Sequence, residues 1–461
     1  MSDCRFCYVS SDEKLQKFFS VLLRAHPLNE GCFRVPASAQ RQEPSGSFLV
    51  QKPINPQQNM ANPTTTLKNL IRTADQTFSM EEFEAKLSLG RPLRIKFGMD
   101  VTAPFLHIGH AVNLWMMREL QEQGHKVVLL IGDFTTRIGD PTGKSQTRKV
   151  ISREEIAANA AGFIEQASAV LLTNPAVFEV RYNSEWFEKM PMDEFLSLLS
   201  MVTHARLIER DMFQKRIAEG REIRIHEMVY PIIQGYDSVM LESDLTIVGS
   251  DQLFNELMGR FFQEKFSQAP QVVLTSRITP GLDGGEKQSK SLGNYVALAD
   301  SPREMFGKIM RLPDQLVIEW LEVYTTFPLE EIAAIKAGLE NGINPMASKS
   351  RLAELVVGRY HGPEAGQEEN EWFMRTFSRG ETPDDVVEVR VGSDCTLIEI
   401  IEACMPESSR SSIRELIGSG SIRLEDAKLT DAAMIRDWNG YLLKVGKRRW
   451  FRLVDGNRIN E

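Results

Sequence analysis

Two short strings combine histidine, lysine and glycine in a way that suits chemistry on a phosphate. The first runs from His107 to His110, with Gly109 between its histidines. The second runs from Lys287 to Ser291 inside a glycine-containing stretch, residues 284–294, which we call the lysine loop. Side chains of these types stabilise the negative charge that grows when a phosphoanhydride breaks. The two strings together therefore predict an ATP site.

The elements around the histidines strengthen that interpretation. Residues 93–99 alternate as a strand does, 107–123 carry an apolar stripe at helical spacing, and 126–133 predict a buried strand. This strand, helix, strand order is typical of a βαβ unit. A histidine at a helix end is by itself more often a cap than a catalyst. Here, however, both histidines follow the carboxyl end of a strand, which is where open α/β sheets bind ligands.

A second strand end also carries polar residues. Residues 245–248 predict a short apolar strand, and Gly249 to Gln252 follow it before a helix that begins near Leu253. The lysine loop comes later and has glycines on both sides of its lysines, which suits close approach of the backbone to a phosphate. An exposed basic turn remains the alternative for that loop taken alone.

Composition limits the class of protein. A length of 461 residues with 42% hydrophobic side chains predicts two or three globular domains, and no apolar run reaches the roughly 18 residues of a membrane helix. The net charge of -9 means that a nucleic acid must be met by a local basic patch. Five cysteines form no evident disulfide framework, and Cys4 and Cys7 have metal-ligand spacing but no second close pair. We therefore expect no dedicated metal site and no membrane partner.

The chain divides into segments of different character. Residues 1–59 predict a weakly structured N-terminal extension, and Met60 is a possible alternative start. The remaining segments are a catalytic domain at 60–302 with a helical insertion at about 150–225, a helical domain at 303–377, a linker at 378–393 and a small domain at 394–461.

The small domain contains a basic run that suits RNA. Lys444, Lys447, Arg448, Arg449 and Arg452 have no acidic residue among them and are interleaved with aromatic side chains. Such a run is typical of a surface that contacts a nucleic-acid backbone. Two arginines of a preceding predicted helix, Arg410 and Arg414, extend it. The alternative is a solvated strand edge protected by charge.

Jointly, the two strings resemble the paired signatures of class I aminoacyl-tRNA synthetases. Three further strings, at 96–144, 230–237 and 249–252, resemble the bacterial tyrosyl-tRNA synthetases. The resemblance covers about residues 65–456. It implies an α/β fold with a Rossmann-like doubly wound parallel sheet, then an α-helical anticodon-region domain, then a small α+β RNA-binding domain similar to one in a small-subunit ribosomal protein.

The resemblance also implies a reaction and its residues. L-tyrosine would react with ATP, accompanied by Mg²⁺, to give tyrosyl-adenylate and pyrophosphate, and the tyrosyl group would pass to the 3′ end of tRNA(Tyr). The catalytic residues would be His107, His110, Lys287 and Lys290. The tyrosine-binding residues would be Asp140, Thr135, Tyr230, Gln234, Asp237 and Gln252. The ATP-binding residues would be Asp100, Thr102, Gly109, Gly249, Asp251, Ser289 and Ser291. RNA would contact Arg410, Arg414, Lys447, Arg448 and Arg449.

The same resemblance implies a cytoplasmic homodimer, with much of the interface in the insertion. Three positions depart from the family pattern: Lys96 replaces a common tyrosine, Val101 a common proline and Gln288 a methionine. We expect Gln288 to pack the loop and Asp237 to carry more of the tyrosine selectivity. Three alternatives stay open: a tryptophanyl-tRNA synthetase, a catalytically inactive RNA-binding paralogue and a general nucleotidyltransferase.

Overall fold

The computed structural model describes residues 70–102, 105–140, 151–289, 292–378, 386–392, 395–425, 427–429, 438–446 and 449–455. The predicted N-terminal extension, Met60 and the Cys4/Cys7 pair lie outside these residues. Within them, no helix is long and apolar enough to cross a membrane.

A six-stranded, mainly parallel sheet forms the centre of the catalytic region. Its strands are β1 (Ala74–Phe78), β2 (Arg94–Met99), β3 (Lys126–Ile131), β4 (Phe178–Tyr182), β5 (Leu245–Gly249) and β6 (Val272–Ser276). Their spatial order is β1-β6-β5-β2-β3-β4, and only β1, at one edge, is antiparallel to its neighbour. The chain winds outward from β2 to β4, then returns to β5 on the other side of β2. This is the expected doubly wound sheet, and its direction of winding reverses between β2 and β5.

The central strands are short and almost wholly apolar because helices cover the sheet. In β3 every side chain after Lys126 is buried. The helices of this region are α1 (Met80–Leu87), α2 (Ile108–Glu122), α3 (Thr135–Ile138), α4 (Arg153–Ser168), α5 (Ser184–Phe187), α6 (Met192–Ser200), α7 (His204–Ile208), α8 (Asp211–Ala218), α9 (Ile225–Met240) and α10 (Leu253–Lys265). Of these, α9 and α10 pack closely against each other.

The predicted insertion differs from expectation in one respect. Residues 150–225 are mostly helical, but β4 lies within them and pairs in parallel with β3 from Val127 to Ile131. The physical reason is that the edge of β3 offers unpaired backbone groups, which a fourth strand satisfies. The first part of this segment therefore belongs to the main sheet, and the stretch that projects between β4 and β5 is shorter than predicted.

Helices follow the lysine loop as expected. They are α11 (Pro302–Ile309), α12 (Val317–Tyr324), α13 (Leu329–Glu340), α14 (Met346–His361) and α15 (Pro363–Phe373). Ser301 and Glu304 form a reciprocal capping box at the start of α11, with Pro302 in the first turn. Fully buried Trp320 and Leu352 help to form the core that joins these helices.

The last segment is a small α+β unit with its own core. It contains α16 (Leu397–Cys404), α17 (Arg410–Gly418) and the strands β7 (Val387–Val391), β8 (Ile422–Leu424), β9 (Ala427–Leu429), β10 (Leu442–Val445) and β11 (Arg449–Asp455). The strand order is β7-β11-β10-β8-β9. Ile400, Ile413 and Leu443 are fully buried in its core. β7 lies in what was predicted as a linker.

Candidate active site

A cavity of about 350 Å³ opens at the carboxyl ends of β2 and β5, where the winding of the sheet reverses. Nearly all the predicted small-molecule residues that the structure describes line it. These are Asp100, Thr102, His107, Gly109, His110, Thr135, Asp140, Tyr230, Gln234, Asp237, Gly249, Asp251, Gln252 and Lys287. Ser289 is not among the lining residues, and its N–H donates to Asn294 instead. Lys290 and Ser291 lie outside the described residues.

The two histidines stand at the first turn of α2. His107 is the residue before the helix, in an extended conformation, and its N–H donates to Nδ1 of His110 at 3.4 Å. The two rings are tilted by 33° to each other, with centroids 3.7 Å apart. A β-carbon on Gly109 would approach His107 Nδ1 to 2.9 Å, so only glycine leaves the histidines this close.

Both imidazoles are uncharged at neutral pH. Burial lowers the pKa of His107 to about 2, aided by His110 and Lys287, and burial lowers that of His110 to about 4. Nδ1 of His107 is buried and has no hydrogen-bond partner within the described part of the chain. Neutral imidazoles can act as hydrogen-bonding groups, and Lys287 of the lysine loop brings a positive charge to the same cavity.

Lys287 extends that charge across the cavity. Its Nζ lies 2.9 Å from Oδ2 of Asp251, and more than half of the lysine side chain is exposed. Asp251 follows β5 directly, and a β-carbon on Gly249 would come within 2.7 Å of its Oδ1. An exposed ion pair is weak, so an incoming polyphosphate can compete for the lysine.

Asp237, on α9, lies at the opposite end of the cavity and is 3% exposed. Its carboxylate accepts hydrogen bonds from Nε1 of Trp186 at 3.0 Å and Nδ2 of Asn183 at 3.4 Å. Burial raises the pKa of Asp237 to about 8, while the positive charge of Lys96 opposes that shift. The two neutral donors orient the carboxylate and leave it able to accept a further hydrogen bond from a ligand.

Asp100 connects the two ends of the cavity. Its Oδ1 accepts from the Thr135 hydroxyl at 2.6 Å, and its Oδ2 accepts from the Tyr230 hydroxyl at 3.0 Å. Asn183 donates to the same threonine oxygen at 3.1 Å as well as to Asp237. This chain of hydrogen bonds holds residues from β2, α3, α5 and α9 in one arrangement.

A second set of hydrogen-bonded polar side chains lies between the two ends of the cavity. Gln252 donates to Oδ2 of Asp140 at 2.9 Å, and Asn255 donates to both Gln252 and Gln234 at 3.0 and 2.9 Å. Gln234 in turn donates to Glu256 at 2.8 Å. Carboxylate and amide oxygens thus cluster where the resemblance predicts an ammonium group.

Beneath this cluster, Lys96 and Glu256 form an ion pair. The Lys96 ammonium lies 2.7 Å from Oε2 of Glu256 and donates to the Ser238 hydroxyl at 2.7 Å. The two charged side chains are 1% and 2% exposed. Gln271 also donates to Glu256, at 2.9 Å. The lysine that departs from the family pattern is therefore neutralised by an acid from α10, and the pair contributes no net charge to the cavity.

The other two departures are accommodated by packing. Val101 is 1% exposed, and its backbone N–H donates to the hydroxyl oxygen of Thr136 at 3.0 Å. Gln288 is 6% exposed and bonds to Tyr324 of α12. Gln288 thus packs the lysine loop against the helical region, in agreement with expectation.

Several residues around the cavity were not predicted. Asn183, Trp186, Glu256 and Tyr324 all contact predicted site residues. Asn113 also lines the cavity, one helical turn after His110, and its Oδ1 is buried without a partner within the described residues. Its position one helical turn after His110 could have predicted that Asn113 faces the cavity. The other four residues lie in no recognisable sequence string.

The predicted RNA residues fall on two elements of the small domain. Arg410 and Arg414 lie on α17, and Arg449 begins β11. Arg410 pairs with Glu402 on the surface, with Nη2 3.0 Å from Oε2, and Arg449 contacts the sulfur of Met405. Lys444 lies 4.3 Å above the Trp450 ring. Lys447 and Arg448 lie outside the described residues.

A doubly wound sheet with a histidine helix, a lysine loop and an amino-acid-sized polar cavity at its switch point defines a class I aminoacyl-tRNA synthetase. Comparison with protein families agrees: residues 88–378 match the model of class I tRNA synthetases for tryptophan and tyrosine. The chain belongs to this family.

Relatives identify the branch of the family. The tyrosine–tRNA ligase of Moorella thermoacetica is 43% identical over 395 residues, which is 84% of this chain and 95% of that protein. The tyrosine–tRNA ligase of Thermotoga maritima is 39% identical over 86% of this chain and 98% of that protein. The expected resemblance to tyrosyl-tRNA synthetases is thereby confirmed.

Solved structures confirm the fold. A C-terminally truncated mitochondrial tyrosyl-tRNA synthetase of Aspergillus nidulans has a TM-score of 0.58 at 20% identity, covering 70% of this chain and 98% of that one. The Archaeoglobus fulgidus tyrosyl-tRNA synthetase, solved with L-tyrosine, has a TM-score of 0.52 at 20% identity, covering 67% of this chain and all of that one.

Proposed function

We propose that the protein is a tyrosine–tRNA ligase that activates L-tyrosine with ATP and then esterifies the 3′ end of tRNA(Tyr). The observation that carries the choice of tyrosine is Asp237, a buried carboxylate at the closed end of the cavity with donors on both oxygens. A phenol hydroxyl can donate a further hydrogen bond to it, whereas phenylalanine would cover the carboxylate with an apolar ring and supply no such bond. The curated relatives, all named tyrosine–tRNA ligases, support the same substrate.

Each site residue has a role that depends on its position in the cavity. Asp140, Tyr230 and Gln234 hold the ammonium group, Gln252 places the carboxylate, and Thr135 packs beside the amino acid. The carboxylate attacks the α-phosphate and pyrophosphate leaves, so the enzyme needs to supply orientation and charge, with no protein nucleophile. ATP arrives as its magnesium complex. Lys287 and Lys290 meet the phosphates, and the neutral histidines donate to them.

The nucleoside part of ATP lies along the other wall. Asp251 and Gly249 face the ribose, Gly109 gives the nucleoside room against α2, and Asp100 and Thr102 complete this side. Ser289 and Ser291 belong to the same loop as the lysines, and we assign them to the ATP side on that basis.

Transfer to tRNA uses the appended domains. The RNA backbone is contacted by Arg414, Arg449, Lys447 and Arg448. Arg410 joins them when it exchanges its ion pair with Glu402 for a phosphate, because that surface pair contributes little net stability. The two tyrosine–tRNA ligases of 39% and 43% identity come from bacteria, where tRNA is in the cytoplasm, and on that basis we place the enzyme there.

We also propose a homodimer. Apolar side chains stand exposed on α6 and at the start of α9, namely Met192 at 71%, Leu196 at 57% and Ile225 at 76%. These helices pack against each other. Exposed large apolar groups gathered on neighbouring elements are typical of an interface.

The deciding experiment is tyrosine-dependent exchange of pyrophosphate into ATP. We expect exchange with tyrosine and none with tryptophan or phenylalanine. Lys287→Ala should lower the rate by about 10² to 10³, as expected for loss of a group that stabilises developing charge. Lys336→Ala, an exposed lysine of α13, is the matched control and should leave the rate unchanged. Absence of exchange with any of these amino acids would show an inactive paralogue.

A further inference from the structure

Gln288 makes contacts that its neighbours in the lysine loop do not. Lys287 on one side has an exposed side chain, but Gln288 is 6% exposed. Its Nε2 donates to the hydroxyl of Tyr324 at 2.8 Å, and its Oε1 accepts from the N–H of Val296 at 3.3 Å. Both ends of the amide are therefore satisfied, and the side chain fixes the loop from within.

Tyr324 is the last residue of α12 and is 2% exposed. Its hydroxyl also forms a short hydrogen bond with the hydroxyl of Thr279, three residues beyond β6. With Gln288 donating to the phenol oxygen, the phenol O–H is available to donate to the threonine. One hydroxyl thus links the lysine loop, the end of a sheet strand and the helical region.

The backbone of Tyr324 is itself held firmly. Nη1 of Arg359 donates to its carbonyl oxygen at 2.9 Å, and the same guanidinium lies 4.3 Å from the centre of the Trp115 ring. Trp115 belongs to α2, the helix that begins with the catalytic histidines. Arg72 donates to the carbonyls of Leu321 and Glu322 at 3.0 and 2.8 Å. The carboxyl end of α12 is therefore fixed relative to the histidine helix.

Gln288 also lies beside the first turn of α2. A β-carbon built on Gly109 would be 3.6 Å from its Nε2. Tyr324, Gln288 and Thr279 all line the active-site cavity. The adjacent residue, Lys287, reaches Asp251 across the same cavity. Fixing Gln288 thus fixes the point from which the lysine side chain starts.

We infer that Tyr324 is a positioning residue for tyrosine activation: through its hydroxyl and Gln288, it sets the place of Lys287 opposite the histidines. The pairing accounts for the polar residue at loop position 288, because a thioether offers the phenol no N–H donor. This inference rests on the proposed function, since it concerns a step of that reaction.

The test compares Tyr324→Phe, Gln288→Met and the double variant in full-length protein. Both single variants break the Gln288–Tyr324 hydrogen bond. Tyr324→Phe also loses the bond to Thr279, and Gln288→Met also loses the bond from the N–H of Val296. Each should lower kcat for pyrophosphate exchange by about three- to tenfold, with KM for tyrosine unchanged. The double variant should lose clearly less than the product of the two single effects, because the shared contact can be broken only once. Tyr360→Phe is the matched control: this tyrosine packs against Trp115 with ring centroids 5.9 Å apart, and kcat should stay at the wild-type value because the substitution leaves the Gln288–Tyr324 bond in place.

Three results would overturn the inference. The first is an unchanged kcat in Tyr324→Phe, and the second is multiplication of the two single effects in the double variant. The third is an equal fall in Tyr360→Phe, which would indicate a general packing effect. The wild-type protein separates this inference from the proposed function. If it shows no tyrosine-dependent exchange, the function is wrong, whereas normal exchange with unaffected variants refutes the positioning role alone.

Discussion

At the scale of single residues, the selectivity for tyrosine that we propose for Asp237 depends on how this side chain is held. The carboxylate is buried, receives N–H groups from Trp186 and Asn183, and lies near the ammonium of Lys96. A buried acid held this way keeps its geometry without a ligand, so binding of the phenol requires no rearrangement. Selection against phenylalanine then comes from covering this carboxylate with an apolar ring that cannot supply the hydrogen bond of the phenol.

Asp237 should also make the reaction sensitive to pH. Because burial raises its pKa to about 8, the free enzyme holds a proton there at pH 6 to 7 that an exposed aspartate would have lost. The ionised form accepts the phenol hydrogen bond better, so kcat/KM for tyrosine should rise with pH and level off above about 8. In Asp237→Asn this rising limb should be absent, and kcat/KM should fall by about 10² or more.

Stability should change with pH in the opposite direction. The folded state binds this proton more tightly than the unfolded chain, so the contribution to stability is present at low pH and is lost as pH rises towards about 8. Asp237→Asn removes this dependence. Comparing urea midpoints of both proteins between pH 5 and 9 measures it. Parallel pH dependence in wild type and variant would contradict the assigned pKa.

The residues themselves were predictable only where they occur in ordered strings. Asp237 and Asp140 were predicted because neighbouring letters resemble a family pattern, and the cavity contains both. Asn183 and Trp186 were not, because they reach Asp237 only through the pairing of β4 with β3, about fifty residues from their partner. Supporting contacts of this kind depend on tertiary structure and leave no local signature.

At the scale of elements, β2 and α10 are joined by a buried ion pair. Lys96 lies in the middle of β2, and Glu256 lies in the first turn of α10. Periodicity predicted both elements, with β2 shifted by one residue at its start, because their apolar patterns are regular. It did not predict β1 or β4: β1 is polar and partly exposed, and β4 alternates between apolar and charged residues over only five residues, within a segment whose overall pattern is helical. Periodicity also did not predict that Lys96, in a core strand, forms an ion pair with Glu256.

Breaking this pair should destabilise the protein strongly. Lys96→Met leaves Glu256 buried and unpaired, which typically costs about 3 to 5 kcal/mol. Lys96→Met combined with Glu256→Leu removes both charges and should recover most of that loss, because an apolar pair can replace a buried ion pair at little cost. The free energy of unfolding in urea measures both effects.

A neighbouring strand offers the control. Lys126 of β3 lies 3.5 Å from Glu179, with both side chains more than a quarter exposed, so Lys126→Met should change the free energy of unfolding by less than about 1 kcal/mol. If the double variant at 96 and 256 were as unstable as Lys96→Met, the ion pair would not be the source of the loss.

At the scale of the whole molecule, the proposed homodimer and the proposed RNA contacts each depend on a separate surface. The exposed apolar residues of α6 and α9 predict a subunit interface. Leu196→Asp together with Ile225→Asp should convert the dimer to a monomer, because two buried carboxylates per subunit would face apolar surface. Light scattering after size exclusion measures the mass. Ile343→Asp, at a side chain 61% exposed outside these helices, should leave the dimer intact.

The small C-terminal domain should affect transfer to tRNA and not activation. Its core is made of its own residues, and none of the residues that line the active-site cavity belongs to it. A chain that ends at residue 385 should therefore keep tyrosine-dependent pyrophosphate exchange, while aminoacylation of tRNA should fall by about 10² or more as backbone contacts are lost.

Charge variants distinguish lost RNA contacts from a general effect of truncation. Arg414→Gln with Arg449→Gln should raise KM for tRNA at physiological salt. The variant should also be less sensitive to salt, because binding with fewer phosphate contacts releases fewer counterions. Glu407→Gln, an exposed acid between the two helices of the same domain, should leave KM for tRNA no higher than in wild type. Equal KM values for the arginine variant and wild type across a salt series would mean that this face does not carry the tRNA.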